Sequence, residues 1–273
     1  MAKKETEKKN EIIRKEYNHH IPEEIFFKGI ENNNYLINYF FITTHRNLSD
    51  ILFFTKKELF EFHKISNAKT KEQVIIDMES CLQEFALNKD EEIDLGKYGL
   101  NDVITVKLDL INIEFKEPYA MINNYELGKL MDYSDKKIGF GKLLLFYTRH
   151  KLRRYKRSDD GISVEALPEI SYFYKNRLAE KLNMARGTID SCIEVLENLK
   201  LIKTDVANLH KTYDGIIHRG EFMCTDYYAR REDSSADLEL MGGKKYLDRK
   251  FFEKDRERRI NKEKKFLKKN KEI

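Results

Sequence analysis

The 273-residue chain has no tryptophan, three prolines and three cysteines. The missing indole argues against a β-sandwich built around one, and so little proline excludes a Pro-rich linker. Cys81, Cys192 and Cys224 are odd in number, far apart and set in apolar segments, so neither a disulfide framework nor a zinc site is indicated. Buried reduced thiols are expected. A long apolar run is also missing: the longest uncharged apolar stretch, Tyr35 to Thr44, has ten residues, about half of the ~20 a bilayer demands. Residues 1–17 carry charges every few positions and no apolar stretch that could serve as a signal peptide. The expectation is a cytoplasmic protein with no membrane partner.

Catalytic signatures are missing too. Gly141-Lys142 lacks the glycine five residues upstream and the Ser or Thr downstream that a phosphate loop needs; those positions hold Lys136 and Leu143. The seven histidines, 19, 20, 45, 63, 150, 210 and 218, include no His-x-His and no helical His-x-x-x-His pair, so no strand-cutting metal site is evident. His19-His20 adjoins a charged arm and does not read as a ligand pair. Carboxylates are dispersed beside lysines, as on solvated helix faces, and no serine sits in a nucleophile elbow. The chain reads as a binder, not an enzyme, with no cofactor and no metal.

What is present supports a folded protein. Hydrophobic residues make up 41% and charged residues 36% of the chain, enough apolar material to pack two ordinary domains. Abundant Leu, Ile, Lys and Glu favour helix. The net charge of +4 is unevenly spread: residues 244–273 carry net +8 and residues 142–157 net +7, leaving −11 on the remainder. Two cationic strips on an acidic body suit a polyanion-binding protein.

The chain is organised around Ser171 to Thr204, SYFYKNRLAEKLNMARGTIDSCIEVLENLKLIKT. Leu178 and Leu182 stand at i, i+4; after the break Asn183-Met184-Ala185, Ile189, Ile193 and Leu196 form a second helical stripe. Two helices about three residues apart form a helix-turn-helix, and Asn183 stands where the chain leaves the first helix in a left-handed conformation. Arg186, Thr188, Asp190, Ser191 and Glu194 fall on faces away from the stripe. Leu178-Ala179-Glu180, Leu182, Arg186, Thr188-Ile189, Leu196-Glu197 and Leu201-Ile202-Lys203 together resemble the winged helix-turn-helix of bacterial DNA-binding proteins. Asn183 replaces the usual glycine of that pattern, Ala185 the usual Ser or Thr, and Asp190 adds a negative charge where DNA would lie.

The pattern occurs twice. FFTKKELFEFH, from Phe53, parallels YFYKNRLAEKL, with Leu59 matching Leu178 and His63 matching Leu182. Val74, Met78 and Cys81 repeat the spacing of Ile189, Ile193 and Leu196 if the first copy has a turn four residues longer. Asn34 to His45 reads as a helix buried on most sides, and Ile104, Val106, Leu108 and Leu110 alternate as a half-buried strand. In the second half, Leu143, Leu144, Tyr147 and Leu152 are expected to face the core of a first helix. Arg149, Arg153, Arg154, Lys156 and Arg157 then project outward as like charges that a polyanion would relieve. Leu201–Val206 and Gly220–Thr225 are expected to pair as a second wing, its tip carrying His210, Lys211, His218 and Arg219, with Asp214-Gly215 as a turn. The expected fold is α+β, mainly helical: a flexible charged arm at 1–22, a first winged-helix domain at 23–117, a connecting segment at 118–137, a second winged-helix domain at 138–226, and a basic tail, helical or disordered, at 227–273.

This layout resembles plasmid and mobile-element replication initiators. The resemblance implies sequence-specific binding of double-stranded DNA at origin repeats, recruitment of host replication proteins, and a bacterial, nucleoid- or plasmid-associated location. Arg186, Thr188 and Ser191 are expected at base edges or nearby phosphates, with Lys69, Lys71 and Gln73 in the equivalent role of the first copy. Arg149, Arg153, Arg154, Lys156, Arg157, Lys175, Lys211, Arg219 and the tail are expected to hold phosphates. The alternatives are a winged-helix transcriptional regulator, which expects a promoter palindrome and a stable homodimer or an effector pocket, with no separate effector domain in the sequence, and a protein-interaction adaptor, which Asp190 and Glu194 favour.

Overall fold

The computed structural model describes residues 18–110, 119–133, 137–152, 156–157, 164–165, 170–173, 175–206, 210–211, 217–218, 221–225, 256–257 and 260–261. The expectations for residues 1–17 and for most of 227–273 lie outside them. The class is α+β, mainly helical, with small antiparallel sheets. The chain divides into two compact units, Met1–Tyr155 with Asp190–Cys192, and Lys156–Ile189 with Ile193–Ile273.

The first unit runs β1 (Asn18–Pro22), α1 (Glu23–Glu31), α2 (Asn33–His45), β2 (Ile51–Phe54), α3 (Lys56–Phe62), α4 (Ala68–Phe85), β3 (Ile104–Lys107), β4 (Tyr119–Asn123), α5 (Asn124–Asp132) and α6 (Phe140–Lys151). Side-chain caps fix the helix starts: Asn32 accepts from the Asn34 N–H, Asn67 from the Lys69 N–H, and Thr55/Glu58 and Asn123/Glu126 form capping boxes. As expected from its uninterrupted large residues, α2 is buried on most sides, without a break from Leu36 to Thr43. It is covered by α1, α4, α6, β1 and β2. Tyr39, Phe40 and Phe41 are fully buried, each contributing roughly 1.5–3 kcal/mol. Phe41 meets Phe54 and Phe62 edge-on at 5.4 and 5.3 Å, which ties α2 to β2 and α3.

Three expectations are corrected here. The last five residues of the arm form β1, paired antiparallel with β4 from Asn18↔Asn123 to Pro22↔Tyr119. The segment 118–137, expected to be a connection, therefore supplies β4 and α5 to the first unit. The cause is burial of His19 and Ile21 on one strand and of Ala120 and Ile122 on the other. Second, α6 is not the opening helix of a second domain starting at 138. It packs against α1, α2, α5 and β4, with Leu143 to Thr148 buried in succession, and the division falls after Tyr155. Third, the 149–157 strip is not one helix: α6 ends at Lys151, and Lys156 and Arg157 form a short strand.

The second unit contains β5 (Lys156–Arg157), β6 (Val164–Glu165), β7 (Ile170–Phe173), α7 (Lys175–Lys181), α8 (Arg186–Asn198, apart from the Asp190–Cys192 turn grouped with the first unit), β8 (Ile202–Val206), β9 (His210–Lys211), β10 (Ile217–His218) and β11 (Glu221–Thr225). β5 pairs with β6, and the main sheet is antiparallel in the order β7-β11-β8. The expected hairpin is present: Ile202↔Thr225 to Val206↔Glu221 in β8/β11, continued by His210↔His218 and Lys211↔Ile217 in β9/β10. Asp214, Gly215 and Arg219 lie outside the described residues.

Candidate nucleic-acid interface

Each unit contains a seven-residue helix joined to a longer one by the same hydrogen-bonded turn. In the second unit Asn183 has φ 50°, its N–H donates to the Glu180 carbonyl at 3.2 Å, and the Met184 N–H donates to the Ala179 carbonyl at 2.9 Å. In the first unit Lys64 has φ 55°, its N–H donates to Glu61 at 3.0 Å, and the Ile65 N–H donates to Phe60 at 3.1 Å. Both are left-handed helix ends with the paired bonds of a Schellman motif. Lys64 and Asn183 occupy the same place when Leu59 is matched with Leu178.

The four extra residues of the first copy are not all in its turn. One lies there, since α4 starts four residues after Lys64 and α8 three after Asn183; the other three lengthen the start of α4. Its first buried residue is Val74, so Ala68 to Gln73 precede the core-facing stripe and all but the half-buried Lys71 are exposed, whereas Ile189 is buried in the first turn of α8. His63, matched with Leu182, is buried and donates from Nε2 to the Asn38 Oδ1 at 2.7 Å. Burial lowers its pKa to about 4, so the ring stays neutral and packs as the leucine does in the other copy.

The expected contact residues separate into two sets. Lys69 and Gln73 are exposed on the first two turns of α4, with Gln73 donating to Asp77 at 3.1 Å. Thr70, exposed between them, was missed because it matches no residue of the α8 pattern. Lys71 is half-buried, its Nζ 5.1 Å from the centre of the Phe60 ring, so its stem lies along α3. In the second unit Arg186 is exposed at the start of α8 and donates to Asn176 Oδ1 at 3.1 Å. Thr188, Ser191 and, on α7, Lys175 are half-buried.

The α8 stripe Ile189, Cys192, Ile193, Val195 and Leu196 is buried, and burial pushes the Cys192 thiol up to about 12. Its exposed face bears Asp190, Glu194 and Glu197 beside Arg186. Glu197 is engaged within the fold, accepting from the Thr204 N–H at 3.0 Å. The start of α4, with Lys69 and the half-buried Lys71 against the exposed Glu72, carries net +1, whereas the exposed face of α8 is mainly anionic.

The basic strip is dispersed. Arg149 is half-buried near the end of α6. Lys151, 7% exposed, pairs with Glu126 at 2.9 Å and serves the core. Lys156 and Arg157 lie in β5 and Lys211 in β9, while Arg153, Arg154 and Arg219 lie outside the described residues.

No protein-family model and no curated protein matches this sequence. Among the described residues no group of His, Cys, Asp and Glu could hold a metal ion, and no helix is long and apolar enough to cross a membrane.

Proposed function

We propose that the chain is a sequence-specific double-stranded DNA-binding protein with two winged-helix modules, acting as the replication initiator of a plasmid or mobile element. The observation that carries this reading is the repeat of strand, helix, left-handed turn, helix and strand in both units, with the sheet order β7-β11-β8 in the second. A helix-turn-helix places its second helix in the major groove, with the first residues of that helix at base edges. Lys69, Thr70 and Gln73 hold that position on α4, and Arg186, Thr188 and Ser191 hold it on α8. The net +7 of 142–157 and net +8 of 244–273 supply charge for phosphates.

The experiment is enrichment of duplexes from a random-sequence pool by the full chain. Recovery of one motif, lost by the Lys69→Ala/Gln73→Ala variant, supports the reading; recovery of unrelated sequences contradicts it. Directly repeated motifs beside an AT-rich tract on the parent replicon mark an initiator, and a single palindrome over a promoter marks a transcriptional regulator. The exposed Asp190 and Glu194 favour a second reading for α8 alone, contact with a protein partner.

A further inference from the structure

The two sheets differ at one edge. In the second unit β11 is flanked on both sides, by β7 and by five residue pairs with β8. In the first unit β3 pairs fully with β2, from Ile51↔Lys107 to Phe54↔Ile104, but among the described residues its other edge holds only the Ala86↔Leu108 bridge, closed by the bonds from the Leu87 N–H to the Lys107 carbonyl at 3.0 Å and from the Asp109 N–H to the Phe85 carbonyl at 2.8 Å. The Leu108 N–H donates to Asp50, so by antiparallel alternation the backbone of Val106 and Ile104 faces β2 and that of Thr105 faces away. Among the described residues no hydrogen bond from another strand reaches Thr105 on that side.

That edge borders a groove of about 290 Å³ whose apolar lining includes Leu95, Ile104 and Val106, and whose charged lining is three acids, Glu91, Glu92 and Asp94, against two lysines, Lys97 and Lys107. The loop forming the far wall is built in place. Gln83 Nε2 donates to the Lys89 and Glu91 carbonyls at 2.9 and 3.2 Å, the Leu95 N–H donates to Glu79 at 2.7 Å, and Lys56 Nζ donates to the Tyr98 carbonyl at 2.6 Å. Residues 88–102 hold five acids and two lysines, a charge that disfavours DNA phosphates. Exposed strand edges are ordinarily blunted by lysine, proline or a covering element; here Lys107 stands at one end of the edge, while the backbone of Thr105 opens onto a preformed trough of mixed apolar and acidic lining.

We propose that the β3 edge of the first unit is a docking site for an extended, lysine- or arginine-bearing apolar segment of a partner protein, bound by strand addition. Main-chain bonds to Thr105 give affinity, alternate apolar side chains enter the trough, and cationic ones meet Glu91 and Glu92. This deepens the recruitment part of the proposed function and does not depend on which DNA is bound.

The test uses the full chain and a labelled ten-residue Val-Lys alternating peptide as probe. Expected results are one-to-one binding, slowed amide exchange over 103–107, and at least tenfold weaker binding of both a Val-Glu peptide and a Val-Lys peptide N-methylated at alternate positions. Thr105→Pro, which removes an outward-facing N–H, weakens the probe at least tenfold, with thermal unfolding and DNA affinity unchanged. Because proline could disturb the strand, Glu91→Lys/Glu92→Lys on the exposed rim is the second variant, with the same expected loss. Absence of probe binding, equal affinity for the N-methylated peptide, or indifference to both variants overturns the proposal. A dimer of the free chain that Thr105→Pro dissociates also overturns it, by assigning the edge to a second copy. Loss of DNA binding with the probe still bound would instead contradict only the proposed function.

Discussion

Asn183 and Lys64 are non-glycine residues at positive φ, a conformation that costs an L-residue about 1–2 kcal/mol and that asparagine tolerates through its short polar side chain. Asn183→Val is predicted to lower stability by about 1–2 kcal/mol, and Asn183→Gly to leave it equal or slightly higher, read by urea denaturation. The histidines give a pH prediction. Burial lowers His19, which bonds Thr43 Oγ1 at 2.9 Å and Asn124 Oδ1 at 2.6 Å, to about 4, and His63 likewise to about 4. Between that value and the unfolded value near 6.5, the unfolded chain binds more protons than the folded one. The stabilisation is thus complete above about pH 6.5 and lost toward pH 4, at about 1.4 kcal/mol per pH unit for each ring. Replacing His63 with leucine, the residue of the other copy, should flatten the midpoint-versus-pH curve; an unchanged slope would contradict the assignment. At the interface, Arg186→Ala should cost about 1–3 kcal/mol of specific affinity if its guanidinium reads a base.

At the scale of elements, two contacts decide how the first unit holds together. Gly29 lies inside α1, where alanine is ordinarily better by about 1 kcal/mol. A Cβ there would stand 2.8 Å from the Leu36 Cβ of α2, an atom near the backbone that cannot swing aside. Gly29→Ala is therefore predicted to destabilise by about 1–3 kcal/mol, measured by thermal unfolding. Lys151→Ala would leave Glu126, 13% exposed, without its cationic partner, and a loss of about 3–5 kcal/mol is expected. The elements legible in the sequence were those with strong local signals. The α2 run of large residues, the α7-turn-α8 spacing, the repeat of Leu59 in Leu178 and the β8/β11 hairpin all carry their own periodicity or turn chemistry. β1 and β4 were not legible, because two short strands about a hundred residues apart acquire meaning only by pairing. The role of Lys151 was hidden for a related reason: one more lysine in a basic strip looks solvated until Glu126, 25 residues earlier, is folded against it.

At the scale of the molecule, charge remains the organising quantity, although the basic strip is shared among a helix end, a short strand and residues outside the described set. The net +8 of residues 244–273 would contribute to phosphate neutralisation without reading sequence. Deleting that segment is predicted to weaken binding to every duplex and to reduce the slope of log affinity against log salt; an unchanged slope would remove the tail from the footprint. The most direct measurement of the central claim is an anisotropy titration of the full chain, near physiological salt, against its selected duplex and a shuffled duplex of equal length and composition. Two groove-reading modules predict at least a ~10³-fold preference for the selected duplex. Equal affinity for the two duplexes, or no binding to either, would contradict it.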